Sequence, residues 1–152
     1  MRRLARLSGW VLAAIALVGG ASAAVHTLSS IEAELNLERR SRFALELAHA
    51  NVRPFVEAYL DGKPEKAHEL MDEIAKAVNL AAKSLDATGK HARRNPKHFK
   101  YAEIQTRKLV ARLKEAQREL DFDEQRDLED LIADVETANN KLLLAIMSRK
   151  QK

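Results

Sequence analysis

The sequence predicts an all-α protein, an up-down-up-down antiparallel four-helix bundle preceded by a signal-peptide helix. Apolar residues recur at every third or fourth position along almost the whole chain, and no segment alternates as a strand would. The 152 residues include only five Gly and three Pro, which leaves room for few loops. Short turns separate the long periodic segments, and such turns join antiparallel helices. We therefore treat residues 24–152 as a single domain.

The first 23 residues have the pattern of a secretory signal peptide. A start containing three arginines is followed by an apolar run, and Ala21-Ser22-Ala23 supplies a small-x-small cleavage site. We predict cleavage after Ala23 and an extracytoplasmic, periplasmic location. The alternative is an uncleaved N-terminal anchor, because residues 7–25 are uncharged and a bilayer span needs about 20 residues.

The first helix of the domain is predicted to begin near Ser29, because Ser29 and Glu32 have capping-box spacing. Leu28, Ile31 and Leu35 would form its apolar face. Residues 36–42 are mostly polar, so whether they are helical is left open. The apolar face then resumes, with a kink expected at Pro54. Its members are Leu45, Ala48, Val52, Phe55 and Tyr59.

A turn is predicted at residues 61–64, with Pro64 at the first position of a second helix that runs to Asp86. Thr88-Gly89 ends this helix. Its apolar face comprises Met71, Ile74, Val78, Ala81 and Leu85.

A third helix is predicted after the basic linker 89–95, with Asn95 as its cap and Pro96 in its first turn. Its face comprises Phe99, Ala102, Thr106, Leu109, Leu113, Ala116 and Leu120. Residues 121–123 should form a loop, and Asp121 and Glu124 have capping-box spacing before a fourth helix. The face of that helix comprises Leu128, Leu131, Val135, Ala138, Leu142 and Ala145.

Charge is segregated between the last two helices. Residues 87–118 carry a net charge of +8 and residues 119–140 carry −8. In a hairpin centred near Phe122, this pattern predicts pairing of Lys114 with Asp130 and of Lys108 with Glu136. Exposed pairs of this kind contribute about 0–1 kcal/mol each.

One group of basic residues is left without acidic neighbours by this pairing. The same hairpin places the start of the third helix beside the end of the fourth, so that like charges lie together at one end of the bundle. We predict a polyanion-binding face there, for anionic lipid, cell-wall polymer or an acidic protein partner. Its candidate residues are Lys90, Arg93, Arg94, Lys97, Lys100, Arg149 and Lys150.

Several other functions are disfavoured. The net charge of +4 falls to +1 without the leader, so we expect no nucleic-acid partner. The absence of Cys excludes thiolate chemistry and disulfides. Glu46–His49 and Glu65–His68 have the Glu-x-x-His spacing of di-iron bundles, but a hairpin would offset them by roughly 10 Å. We predict no cofactor, no metal and no enzymatic activity.

Residues 84–152 resemble small secreted bacterial proteins of uncharacterised activity. The resemblance is carried by Ser84–Lys90, by Arg93–Lys100, by Ala102-Glu103 and Thr106-Arg107, and by the closing Leu-Leu-Leu-Ala-Ile-Met of residues 142–147. It implies a secreted helical protein and assigns no functional residue.

The sequence thus predicts an exported binding or structural protein whose basic end contacts an anionic envelope component. A self-associating coiled coil is the alternative, because the apolar stripes of the third and fourth helices alternate strictly by three and four. A metal-binding or haem-binding four-helix bundle is a more remote alternative. The ligand and the oligomeric state are not specified by the sequence.

Overall fold

A computed structural model describes residues 26–148 of the chain, and this part is all-helical. The predicted all-α class is therefore confirmed for these residues. The predicted signal peptide, residues 1–23, and the basic residues Arg149 and Lys150 lie outside them. The helices are α1 (Leu28–Glu32), α2 (Leu37–Leu60), α3 (Pro64–Ala87), α4 (Pro96–Gln117) and α5 (Phe122–Met147).

The start of the domain differs from the prediction. Thr27, not Ser29, caps α1, and its hydroxyl accepts a hydrogen bond from the Ser30 amide at 3.3 Å. The predicted capping box is therefore wrong. Leu35, expected on the apolar face, is 90% exposed because the helix has already ended. Asn36 caps α2 by accepting from the Arg39 amide at 2.9 Å, so residues 37–42 are helical.

The apolar face predicted for α2 is confirmed, since all five of its members are buried. The helix continues through Pro54. It ends at a tight turn where Gly62 has a φ of +68°, a left-handed conformation that glycine adopts without steric cost. Pro64 then opens α3, as predicted.

The predicted face of α4 is also buried in full, from Phe99 to Leu120. Asn95 occupies the N-cap position without a side-chain cap, and Pro96 opens the helix. Asp121 is the N-cap of α5, and the Glu124 carboxylate accepts a hydrogen bond from its amide at 3.3 Å. The loop is therefore shorter than predicted, because Phe122 and Asp123 already belong to α5.

The predicted ion pairs between α4 and α5 are wrong in detail. Lys114 pairs with Glu136 at 2.6 Å rather than with Asp130. Asp130 instead lines a groove with α3, and Lys108 lies close enough to His49 of α2 to affect its ionisation.

The helix contacts define two hairpins that pack side by side. α2 contacts α3, and α4 contacts α5; across the hairpins α2 contacts α4 and α3 contacts α5. Contacts between the hairpins run in the same direction along α2 and α4. Glu38, near the start of α2, pairs with Lys90 and His98, whereas His49, further along α2, bonds to Arg112, further along α4. α2 and α4 are therefore parallel, whereas successive helices along the chain alternate in direction.

One contiguous core lies between the hairpins. Its fully buried members come from all five helices and include Ile31, Phe55, Ile74, Leu109 and Leu128. α2 and α3 both contribute buried alanines, whose small side chains let two helices approach closely. This core holds the ends of α3, α4 and α5 together at the predicted basic end.

Candidate functional site

The predicted anion-binding residues lie where α3 ends and α4 begins. Lys90, Arg93 and Arg94 belong to the connection between these helices, and Lys97 and Lys100 lie in the first two turns of α4. We call these five residues the basic end. Lys90, Arg93 and Arg94 line one pocket, whereas Arg149 and Lys150 are outside the described residues.

The α3–α4 connection is held by local hydrogen bonds. The Thr88 hydroxyl donates to the Leu85 carbonyl at 2.6 Å, and Gly89 follows with a φ of +63°. The amides of Arg94 and Asn95 both donate to the His91 carbonyl at 3.0 Å. Ala92 of this connection is buried and belongs to the hydrophobic core. The two arginines therefore project from a connection with a defined backbone.

A pocket of about 560 Å³ opens at this connection. It is lined by residues 90–94 of the connection, by Asp86 of α3, by the buried Phe99 of α4, and by Ala145 and Ser148 of α5. The pocket thus combines basic groups and one carboxylate with the apolar side chains of Ala92, Phe99 and Ala145. Such a lining suits a ligand that has an anionic group and an apolar part.

Acidic side chains compensate part of the positive charge of the basic end. Glu38 of α2 accepts from Lys90 at 2.7 Å and lies 3.1 Å from His98. The pKa of Glu38 is lowered, mainly by the hydrogen bond from Lys90 and further by the charges of His98 and Lys97, while burial opposes the shift. Glu38 is a residue that the sequence analysis missed.

Asp86 is the second acidic group at this end, and it pairs with Lys141 at 2.7 Å. Within residues 26–148, no acidic side chain forms an ion pair with Arg93, Arg94, Lys97 or Lys100. Arg93 and Arg94 also line the pocket, so their guanidinium groups are the strongest candidates for contact with an anion.

The two Glu-x-x-His motifs face different neighbours. His49 bonds to α4, with its Nε2 donating to the Gln105 carbonyl at 3.0 Å and its Nδ1 accepting from Arg112 at 3.1 Å. His68 bonds to Asp127 of α5 at 3.1 Å. Among residues 26–148, no group of three or more acidic or histidine side chains is arranged to hold a metal ion.

Burial lowers the pKa of His49, and the nearby charges of Arg112 and Lys108 lower it further, while the hydrogen bond to Gln105 opposes them. The neutral ring joins the two hairpins, because it bonds to α4 through both nitrogens. His49 is thus a structural bridge between α2 and α4.

An exposed apolar face on α5 is a second feature that the sequence analysis missed. Leu144 and Met147 are 68% and 67% exposed, and Leu143 is 39% exposed. A signal was present, since three consecutive leucines on a helix cannot all point to one core. Among the helices of the described range, none is both long enough and apolar enough to cross a bilayer.

Comparison of the chain with protein-family models, with curated proteins and with solved structures found no match.

Proposed function

We propose that this chain is an exported, non-enzymatic helical-bundle protein that binds an anionic component of the cell envelope through its basic end. The observation that carries the proposal is the pocket at the α3–α4 connection. Arg93 and Arg94 line it, and neither forms an ion pair within residues 26–148. An anion there would gain charge-assisted hydrogen bonds from Arg93 and Arg94, while Asp86, which lines the same pocket, is already paired with Lys141.

The four-helix bundle is part of the same proposal. The alternating direction of the four long helices supports it, as do the contacts between neighbouring hairpins. In this arrangement α2 and α5 are diagonal to each other, and α1 packs as a short extra helix against α2 and α3.

Export rests on the sequence of residues 1–23. Intact mass of the protein from the extracytoplasmic fraction tests it, and cleavage after Ala23 gives the mass of residues 24–152. The full-length mass in the membrane fraction would instead support an uncleaved anchor, which would hold the domain at a bilayer.

Anion binding is tested by titrating inorganic polyphosphate into the protein in a calorimeter. We expect the double variant R93Q/R94Q to bind at least ten-fold more weakly. A hydrogen bond to a charged group contributes about 1.5–3 kcal/mol, and about 1.4 kcal/mol changes affinity ten-fold.

The matched control is R118Q/R126Q, which removes the same charge from exposed positions near the α4–α5 turn. It should bind polyphosphate as the unchanged protein does. Equal losses in both variants would show that net charge, and not the basic end, determines the affinity. Helical circular dichroism spectra should be the same for all three proteins.

Self-association is the second candidate function. The apolar stripe of α4 and most of that of α5 are buried, so we expect a contact surface among the exposed apolar residues instead. The exposed Leu144 and Met147 are the observation that favours contact with a second copy. Sedimentation equilibrium distinguishes a monomer from a dimer directly.

A further inference from the structure

The exposed apolar residues of α5 form a continuous face. Leu143, Leu144 and Met147 are related by one, three and four positions, which places them side by side over the last two turns. Two of them are about two-thirds exposed. A cluster of large apolar side chains held in water is typical of an interaction surface.

This face borders the pocket. Ser148 lines the pocket and follows Leu144 by one helical turn, while Ala145 lines it between them. The exposed apolar residues of α5 are therefore neighbours of residues that line the pocket, which Arg93 and Arg94 also line.

Two further basic residues lie at the same end. Asn139 of α5 donates to the Thr106 hydroxyl of α4 at 2.8 Å, and the two helices are antiparallel. Residues beyond Asn139 are consequently level with the first turns of α4, which carry Lys97 and Lys100. The acidic groups nearby, Glu38 and Asp86, are each bonded to a lysine.

We infer that the basic end docks on the surface of a bilayer that contains anionic phospholipid. Lipid phosphates contact Arg93 and Arg94, and the side chains of Leu144 and Met147 enter the boundary between headgroups and acyl chains. Membrane-surface binding strengthens with both charge attraction and apolar insertion, and this end supplies both. The inference rests on the proposed function and names the ligand of that site.

The experiment is co-sedimentation of the protein with vesicles. One set contains equal parts of phosphatidylglycerol and phosphatidylcholine, and the other contains phosphatidylcholine alone. We expect binding to the anionic set that exceeds binding to the neutral set and weakens as salt is added. Comparing the two sets also separates surface docking from an uncleaved anchor, which would bind both equally.

Two variants test the two components of the surface. R93Q/R94Q should lower partitioning to anionic vesicles by about 25-fold, since each basic residue near such a surface contributes about five-fold. L144S/M147S should lower it by about ten-fold through the loss of apolar insertion. The second variant should leave the affinity for polyphosphate unchanged, because it removes no charge.

Matched controls lie at the opposite end of the helices. R118Q/R126Q removes the same charge, and L60S/F122S replaces two other exposed apolar residues, which are 66% and 84% exposed. Both controls should partition as the unchanged protein does. Equal losses in variant and control would overturn the inference.

Other outcomes separate the inference from the proposed function. Polyphosphate binding without vesicle binding would overturn the inference and leave the proposed function standing. Absence of both polyphosphate binding and vesicle binding would overturn the inference and the proposed function together. If L144S/M147S converts a dimer to a monomer and leaves vesicle binding intact, the apolar face binds a second copy, and the membrane inference is wrong.

Discussion

Tyr59→Phe should stabilise the protein, although it removes a polar group from a buried tyrosine. Tyr59 is 6% exposed, and its ring packs edge-on against Phe55 with centroids 5.2 Å apart. Within the described residues, its hydroxyl oxygen is buried and has no hydrogen-bond partner. Burial raises the pKa of Tyr59, and the charges of Asp127 and Glu124 raise it further.

The expected gain follows from the cost of an unsatisfied hydroxyl. Leaving such a group buried without a partner costs about 1–3 kcal/mol. Removing its single oxygen leaves a small void, which costs a few tenths of a kcal/mol. We therefore expect the free energy of unfolding to rise by about 1 kcal/mol, which raises Tm by about 3–5 °C for a chain of this size.

Urea unfolding followed by far-ultraviolet circular dichroism measures this change, with an unaltered m-value as a check of two-state behaviour. Tyr101→Phe is the matched control. Tyr101 is only half-buried, and its hydroxyl is not among the buried polar groups without a partner in residues 26–148, so the change should stay within about 0.5 kcal/mol. A loss of 1 kcal/mol or more in Tyr59→Phe would refute the reasoning, because it would mean that the hydroxyl is bonded in the folded protein.

Three further predictions concern stability. The pKa of His49 is lower in the folded chain than the usual unfolded value of about 6.5, so the unfolded state binds more protons as pH falls below that value. The free energy of unfolding should therefore decrease as pH falls below about 6.5. In urea unfolding at several pH values, His49→Gln should show a smaller decrease than the unchanged protein. Equal decreases in the two proteins would contradict this role of His49. Gly62→Ala should cost about 1–2 kcal/mol in urea unfolding, since φ is +68° while space for a methyl group is open, and Gly62→Asn should cost less. Leu109→Ala should lower the free energy of unfolding by about 2–5 kcal/mol, because Leu109 is fully buried. Leu60→Ala should change the urea midpoint little, because Leu60 is exposed. Similar urea midpoints for the two variants would place Leu109 outside the core.

Apolar periodicity predicted the helices well because burial follows the helical repeat directly. Every member of the stripe from Phe99 to Leu120 is buried. The caps were less predictable, because neighbouring polar residues compete for the same role. Thr27 captures the Ser30 amide and thereby removes Ser29 from the cap position. Asn36 similarly caps α2 at the beginning of the polar stretch 36–42, a stretch for which the sequence left a helix open.

Ion pairs were the least predictable feature, because they depend on rotation about the helix axis as well as on level. Asp130 lines a groove with residues of α3, and Lys114 pairs with Glu136 instead. The clustering of basic residues could be predicted from the sequence, since the five described residues are close together in the chain. Their compensation by Glu38 could not, because that residue precedes Lys90 by 52 positions.

The pairing of helices also has a consequence for the order of folding. α2 with α3, and α4 with α5, can form from contacts between neighbouring segments, and local contacts form fast. We expect the hairpins to dock later, across a boundary that carries the polar contacts of His49, His68 and Asp86. We expect amide hydrogen exchange to divide along the same boundary, with each hairpin protected as a cooperative unit. The pocket straddles this boundary, since Ala145 and Ser148 belong to one hairpin and Asp86 to the other. A ligand held there would bind only the docked chain and would slow the opening of the two hairpins.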